Sequence, residues 1–267
     1  MKKLQIVYMG TPEFAVAGLK KSIEAGHQIV AVVTAPDRPA GRGKKIKSSA
    51  VKDFALQNNL PVLQPPNLKS PDFVEELKKR SPDVIVVVAF RMLPKVVWEI
   101  PKYGTFNLHA SLLPQYRGAA PINWAIINGE TKTGVSTFFI DENIDTGEII
   151  LQKEIEIGFR ESAGELHDKL MEAGADLIVE TLSQIAENTI QPQKQKENED
   201  LKPAPKLTPE NTKIDFQKPL PAIYNQIRGL SPYPVAWAWL QHGEEEVRCK
   251  IYRAEMEEGE NDFLPGT

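Results

Sequence analysis

The segment Asn107-Leu108-His109 places an amide and an imidazole at the end of a predicted strand. In an extended strand, Asn107 and His109 are two positions apart, so their side chains point to the same side. The two groups can therefore converge on one substrate atom and stabilise negative charge that develops there. A capped histidine beside a turn asparagine would give the same pattern, so this pair alone leaves both interpretations open.

Asp145 supplies a carboxylate further along the chain, in Ile144-Asp145-Thr146-Gly147. A carboxylate beside an imidazole favours the protonated ring and fixes its orientation. Because aspartate and glycine both favour turns, the same residues also suit a plain turn.

A basic segment at residues 38–52 contains no acidic residue, although the whole chain has a formal net charge of -4. RNA phosphates would attract such a segment, and binding would then weaken steeply with salt. A solvated loop would have the same composition. Its cations are Arg38, Arg42, Lys44, Lys45, Lys47 and Lys52.

The 267 residues predict two domains, and 41% hydrophobic residues suffice for a sizeable core. Cys249 is the only cysteine and the four histidines are scattered, so we expect neither a disulfide nor a metal site. Since the N-terminus lacks the pattern of a signal peptide and no stretch is long and apolar enough to span a membrane, we expect a cytoplasmic protein. We also expect it to be a monomer.

The first half alternates β-branched runs with amphipathic segments, which predicts an α/β fold: a Rossmann-like, mostly parallel sheet with flanking helices. Its strands are predicted at 5–9, 29–34, 83–89, 104–109, 134–140 and, as an edge strand, 147–157. The apolar run at 83–89 suits a central strand buried on both faces. Asn107 and His109 then lie at the carboxyl end of a strand, where open α/β sheets bind ligands.

Helices are predicted at 14–25, 50–58, 71–80, 121–128 and 162–186. The last begins with a capping box formed by Ser162 and Glu165. Residues 189–205 are polar and proline-rich, which predicts an extended linker that cannot bury a core between a catalytic domain at 1–188 and a smaller domain at 206–267. In the smaller domain we predict strands at 214–216, 235–240 and 247–252 and a helix at 220–229.

Residues 107–121 together with residues 144–147 resemble the signature of the folate-dependent formyltransferases. Residues 10–14, 36–43 and 206–234 resemble the branch of that family that formylates initiator methionyl-tRNA, so the resemblance covers nearly the whole chain. The family pattern differs at Ala89-Phe90-Arg91, where members usually have Ala-Tyr-Gly.

The resemblance implies that Asn107, His109 and Asp145 catalyse formyl transfer from 10-formyltetrahydrofolate, without a metal, to the α-amine of initiator methionyl-tRNA. It implies a folate site formed by Ser111, Leu112, Leu113, Pro114, Ala89, Phe90 and Asp141. It assigns tRNA binding to Arg38, Arg42, Lys44, Lys45 and Lys47, and to a C-terminal OB-like β-barrel. Members commonly continue further, so that barrel is expected to be incomplete.

Two alternatives remain. A UDP-amino-sugar formyltransferase shares the Asn-x-His and Asp pattern, although the basic segment and the second domain favour tRNA. A catalytically silent RNA-binding module would need the basic segment but not Asn107, His109 or Asp145. Glycinamide ribonucleotide formyltransferases resemble residues 107–114 but are normally shorter and lack the second domain.

Overall fold

The computed structural model describes residues 2–40, 45–196, 200–257, 264 and 266. Its strands are β1 (Gln5–Gly10), β2 (Gln28–Val33), β3 (Arg38–Ala40), β4 (Lys45–Lys47), β5 (Val62–Leu63), β6 (Val84–Val88), β7 (Thr105–His109), β8 (Lys132–Phe139), β9 (Ile149–Glu156), β10 (Ala236–His242) and β11 (Glu245–Ile251). Its helices are α1 (Glu13–Glu24), α2 (Ala50–Gln57), α3 (Pro71–Lys79), α4 (Lys95–Trp98), α5 (Pro121–Ile127), α6 (Ala163–Glu187), α7 (Pro209–Thr212) and α8 (Leu220–Gly229).

The central sheet has seven strands in the order β5-β2-β1-β6-β7-β8-β9. The strands from β5 to β7 pair in parallel, whereas β8 and β9 are antiparallel to their neighbours. The Rossmann-like, mostly parallel sheet is therefore confirmed, with β9 at its edge. Every residue of β6 is buried, as its apolar run predicts.

Alternate residues of β6 serve two hydrophobic layers because successive side chains of a strand point to opposite faces. Val84, Val86 and Val88 join a core beneath α1 and α6, while Ile85 and Val87 join a second core with α3 and α4. Helices thus cover both faces of the sheet and leave its strand ends for a site.

Helix α6 brings its backbone close to the strand that carries the Asn-x-His motif. It begins with the predicted capping box of Ser162 and Glu165. A Cβ atom at Gly174 would lie 2.6 Å from a methyl carbon of Leu108, so a glycine allows this approach. The inward side chains of β7 are thereby clamped between the sheet and the helix.

Residues 189–196 and 200–205, the described part of the segment between the predicted domains, pack on the preceding domain. Gln193 bridges Ile149 on β9, and Ala204 bridges Gly118. Ala204 is fully buried within the main core, so the prediction that this segment buries no core is wrong at that residue.

Beyond this segment, β10 and β11 form a two-stranded antiparallel sheet, and α8 packs against α5. The strand predicted at 214–216 is absent, since the only ladder contact there among the described residues is a bridge between Lys213 and Trp237. The basic segment was predicted as a loop, but β3 and β4 form an antiparallel pair within it. No helix in the described ranges is long and apolar enough to cross a membrane.

Candidate active site

Strand β7 holds Asn107 and His109 at the ligand-binding end of the sheet. Asn107 lies between Val87 on β6 and Phe138 on β8, so its backbone is fixed by central strands on both sides. Within the described residues, the Asn107 side chain has no hydrogen-bond partner, although it lines a cavity. Its amide is therefore available as a donor to a bound molecule.

The His109 imidazole is buried and oriented by two loops. Its Nε2 lies 2.8 Å from the carbonyl oxygen of Tyr116. Because a carbonyl only accepts, Nε2 carries the proton in this hydrogen bond. The other nitrogen, Nδ1, faces Asp145, with 3.7 Å between Nδ1 and Oδ2. Nδ1 is thus the ring nitrogen without a hydrogen-bond partner among the described residues.

Tyr116 is itself fixed by neighbouring groups. Its backbone has a φ of 60°, and its N–H donates to the carbonyl of Lys202 at 2.7 Å. Its hydroxyl donates to Glu130 at 2.6 Å, and the Lys202 ammonium binds the same Glu130 oxygen at 2.6 Å. The carbonyl of Tyr116, which accepts the His109 proton, is therefore fixed by hydrogen bonds to both the backbone and the side chain of Tyr116.

Asp145 lies in the loop between β8 and β9. Its Oδ2 accepts the N–H of Gly118 at 2.9 Å, and its φ is 56°. A Cβ at Gly147 would lie 1.7 Å from the carbonyl oxygen of Phe139, so only glycine fits there. The Asp-Thr-Gly motif therefore forms a tight turn, and that turn brings a carboxylate to the imidazole.

A cavity of about 710 Å³ opens at this end of the sheet and contains all three residues of the predicted catalytic trio. We call the lining residues of segments 87–93 and 138–144 the first wall: Val87, Ala89, Phe90, Arg91, Met92, Leu93, Phe138, Ile140, Asp141, Asn143 and Ile144. Other lining residues include Pro12, Phe14, Gly118, Ala119, Ala120, Pro121, Ile122, Asn123 and His167. A volume of this size is typical of small-molecule sites.

Three of the predicted folate contacts, Ala89, Phe90 and Asp141, line the first wall. Asp141 also organises its own loop: its carboxylate accepts hydrogen bonds from the Asn143 N–H at 2.9 Å and from the Thr146 hydroxyl at 2.8 and 3.0 Å.

Ser111, Leu112, Leu113 and Pro114 are not among the residues that line this cavity, and their assignment as folate contacts stays a prediction. Ser111 is fully buried, and its hydroxyl donates to the carbonyl of Gln115 at 2.6 Å. The Ser136 hydroxyl accepts the Leu113 N–H and donates to the Ser111 carbonyl, while Gln152 donates to the Leu113 carbonyl. These hydrogen bonds fix the backbone of the segment against β8 and β9.

Several wall residues were not predicted as site residues. Phe14 lies in the segment at 10–14, which was noted only because it resembles the family sequence. Its ring packs edge-on against the His167 ring of α6, with 5.2 Å between the ring centroids. Met92 and Ile144 are large apolar side chains that remain 66% and 64% exposed, which is a signal of a binding surface that sequence patterns do not give.

Positive charge lies beside the first wall. Arg38 pairs across the hairpin with Lys47. Burial, and then the charge of Arg38, lower the pKa of Arg91, which lines the cavity. Lys52, by contrast, is neutralised by Asp37 at 2.5 Å. Arg42, Lys44 and the side chain of Lys45 lie outside the described residues.

Comparison with known proteins identifies relatives along the whole chain. A family model described as "Formyl transferase" matches residues 2–182, and one described as "Formyl transferase, C-terminal domain" matches residues 206–267. A methionyl-tRNA formyltransferase from Flavobacterium johnsoniae is 57% identical over 266 residues, covering 100% of this chain and 84% of the relative. One from Bacteroides thetaiotaomicron is 52% identical, covering 96% and 81%.

Among solved structures, an N-formyltransferase from Helicobacter canadensis in complex with folinic acid and dTDP-3-aminofucose matches with a TM-score of 0.67 and 24% identity. The match covers 93% of this chain and 96% of that one. At this identity, the likeness shows the fold alone.

Proposed function

This chain belongs to the formyl transferase family, and from that membership we propose that it transfers the formyl group of 10-formyltetrahydrofolate to the α-amine of initiator methionyl-tRNA. The observation that carries the proposal is the cavity in which the amide of Asn107, unpaired among the described residues, lies with His109 and Asp145. Relatives at 57% and 52% identity named for this activity support the acceptor.

Formyl transfer proceeds through a tetrahedral species. The α-amine forms a bond to the formyl carbon, the carbonyl oxygen becomes negatively charged, and the bond from that carbon to N10 of the folate then breaks. The amine loses one proton overall and N10 gains one. A donor aimed at the oxygen is worth about 10²–10³ in rate, and Asn107 offers an amide with no competing partner among the described residues.

His109 provides the second group through Nδ1. Its Nε2 proton is committed to the Tyr116 carbonyl, so a proton on Nδ1 gives an imidazolium between Asp145 and the cavity. That cation would stabilise the oxyanion, and Asp145 would offset its charge. In the neutral ring, Nδ1 has a lone pair and would instead accept the proton that the amine loses and pass it to N10 of the folate.

The donor folate would lie along the wall that contains Ala89, Phe90 and Asp141. Apolar side chains supply most of that wall, which suits a flat heterocycle, while the loop at Asp141 adds polar groups. Arg91 at this wall, where family members usually have glycine, donates to the carbonyls of Pro65 and Pro66 and so supports the neighbouring loop.

The acceptor tRNA would approach from the hairpin of β3 and β4. Arg38 and Lys47, with Arg42, Lys44 and Lys45 of the same segment, would bind its phosphates, and the domain at 206–267 would add further contacts. We propose that this domain follows a linker at 189–205 and belongs to an OB-like barrel. The protein would act as a monomer in the cytoplasm, where charged initiator tRNA is found.

The decisive experiment mixes the protein with 10-formyltetrahydrofolate and charged initiator methionyl-tRNA and measures formylmethionyl-tRNA. We expect product with wild type and a loss of about 10²-fold in kcat with Asn107→Ala. A parallel reaction with an amino-sugar nucleotide tests the alternative that the Helicobacter canadensis structure suggests. Formylation of the sugar nucleotide but not of the tRNA would reject the proposed acceptor.

A further inference from the structure

Gln195, in the segment after α6, makes four hydrogen bonds with one side chain. Its Nε2 donates to the backbone carbonyls of Asp145 at 2.9 Å and of Gly147 at 2.8 Å. Its Oε1 accepts from Nε of Arg117 at 3.0 Å and from a terminal guanidinium nitrogen of Arg117 at 2.6 Å. The amide thus joins two loops that are distant in sequence.

Both loops orient the predicted catalytic pair. The first contains Asp145, whose carboxylate faces the imidazole of His109. The second contains Tyr116, which accepts the His109 Nε2 proton, and Gly118, whose N–H binds Asp145 Oδ2. A shift between the loops would change the distance between the carboxylate and the ring directly.

The segment that contains Gln195 is itself fixed on the domain. The backbones of Gln193 and Ile149 exchange two hydrogen bonds, each of 2.8 Å. Ala204 accepts the Ala119 N–H at 2.7 Å and donates to the Arg117 carbonyl at 2.8 Å. Gln195 therefore lies between two backbone contacts, at Gln193 and at Ala204, that fix the chain on either side. Its amide is held in one position and is not a free surface group.

We propose that Gln195 is a positioning residue for formyl transfer, which holds Asp145 at the distance from which it orients His109. The inference rests on the proposed catalytic roles of these two residues. Asp145 needs such support because its backbone is in the left-handed region, with a φ of 56°. Among the described residues, Gln195 is the only donor to its carbonyl.

Gln195→Glu tests this role with little change in size. Glutamate keeps an acceptor for Arg117, but it places an oxygen where the amide nitrogen donates to two carbonyl oxygens. Gln193→Glu is the matched control, since it makes the same charge change two residues away on an exposed side chain. Gln195→Leu removes all four hydrogen bonds without adding charge.

The readouts are kcat, KM for each substrate, and the melting temperature. A misplaced catalytic group slows the chemical step rather than binding, so we expect Gln195→Glu to lower kcat about tenfold while both KM values stay within about twofold. Gln193→Glu should match wild type. Wild-type kcat in both Gln195 variants would overturn the proposal, as would a rise in KM without a fall in kcat.

A double-mutant cycle separates positioning of Asp145 from a general effect on folding. In an Asp145→Asn background, single-turnover rates measured with excess enzyme should not fall further when Gln195→Leu is added. If the fold-loss in rate of the double variant equals the product of the two single losses, Gln195 does not act through this carboxylate. If Asp145→Asn and His109→Ala both keep full activity, the proposed catalytic site fails instead.

Discussion

The strand half and the loop half of the active site are held in place by different forces. Asn107 and His109 lie on β7, between β6 and β8, where sheet hydrogen bonds and the burial of Phe106 and Leu108 in the main core fix the backbone. Asp145 lies on a loop whose geometry depends on hydrogen bonds from Gly118 and Gln195. The backbone of a central strand needs no further support, although the His109 ring is also oriented by Tyr116, whereas a loop carboxylate depends on residues elsewhere in the chain even for its backbone position.

Removal of the strand-borne imidazole should have the largest effect on rate. We expect His109→Ala to lower kcat by about 10³-fold, within the range of about 10²–10⁴ for a group that transfers or stabilises charge in the transition state. The change should leave the sheet intact because His109 ends β7. Single-turnover formylation together with a melting curve measures both effects, and wild-type turnover would contradict the role of the strand half.

Neutralising the loop-borne carboxylate should have a smaller effect. Asp145→Asn keeps an oxygen that can accept the Gly118 N–H, but it removes the charge 3.7 Å from Nδ1 of His109. Two unit charges about 4 Å apart interact by about 4 kcal/mol at an effective dielectric constant of about 20. Part of this attraction already exists before the reaction and does not lower the barrier, so we expect a loss of about 10²-fold in kcat. A loss larger than that of His109→Ala would reverse the proposed order of the two halves.

The stability contributed by Glu130, which holds Tyr116 in place beside His109, should depend on pH. Burial raises the pKa of Glu130, but hydrogen bonds from Lys202 and Tyr116 outweigh it and bring that pKa below the ordinary 4.5. Stability from this carboxylate is therefore fully present above about pH 4.5 and is lost as the pH falls through the lowered value.

We expect Glu130→Gln to lower the free energy of unfolding by at most about 1 kcal/mol at neutral pH. The difference from wild type should shrink below about pH 4.5, as measured by chemical denaturation across pH. A difference that stays constant from neutral pH down to the acid limit of folding would exclude the ionised carboxylate as its source.

A change in stability away from the site should leave the rate unaltered. Ser162→Ala removes the capping box of α6 and should cost about 1 kcal/mol of unfolding free energy. Its kcat should equal that of wild type because Ser162 does not line the cavity. If kcat also falls, the losses in loop variants would reflect general destabilisation rather than displaced catalytic groups.

Much of the catalytic domain was predictable from local patterns. The apolar run of β6, the strand-end position of Asn107 and His109 and the capping box of α6 are all present as predicted. These features depend on side-chain alternation and on residues a few positions apart, which a sequence displays directly.

The local patterns were less informative where a segment's partners are distant in sequence. Hydrogen bonds to Ser136 and Gln152 fix the backbone of residues 111–114, and no local pattern indicates those partners. Residues 189–205 have the composition of a loose linker, but the described residues among them make backbone hydrogen bonds to the preceding domain and bury Ala204.

The sequence by itself determined the sheet and the family to which the chain is similar, and its motifs predicted the trio of Asn107, His109 and Asp145. Tertiary structure alone decided that Nε2 of His109 faces a carbonyl and Nδ1 faces Asp145, and that Gln195 joins their loops. The physical reason is that hydrogen-bond direction depends on partners brought together by folding. Gln195 is 50 residues from Asp145 in sequence, and no local pattern connects them.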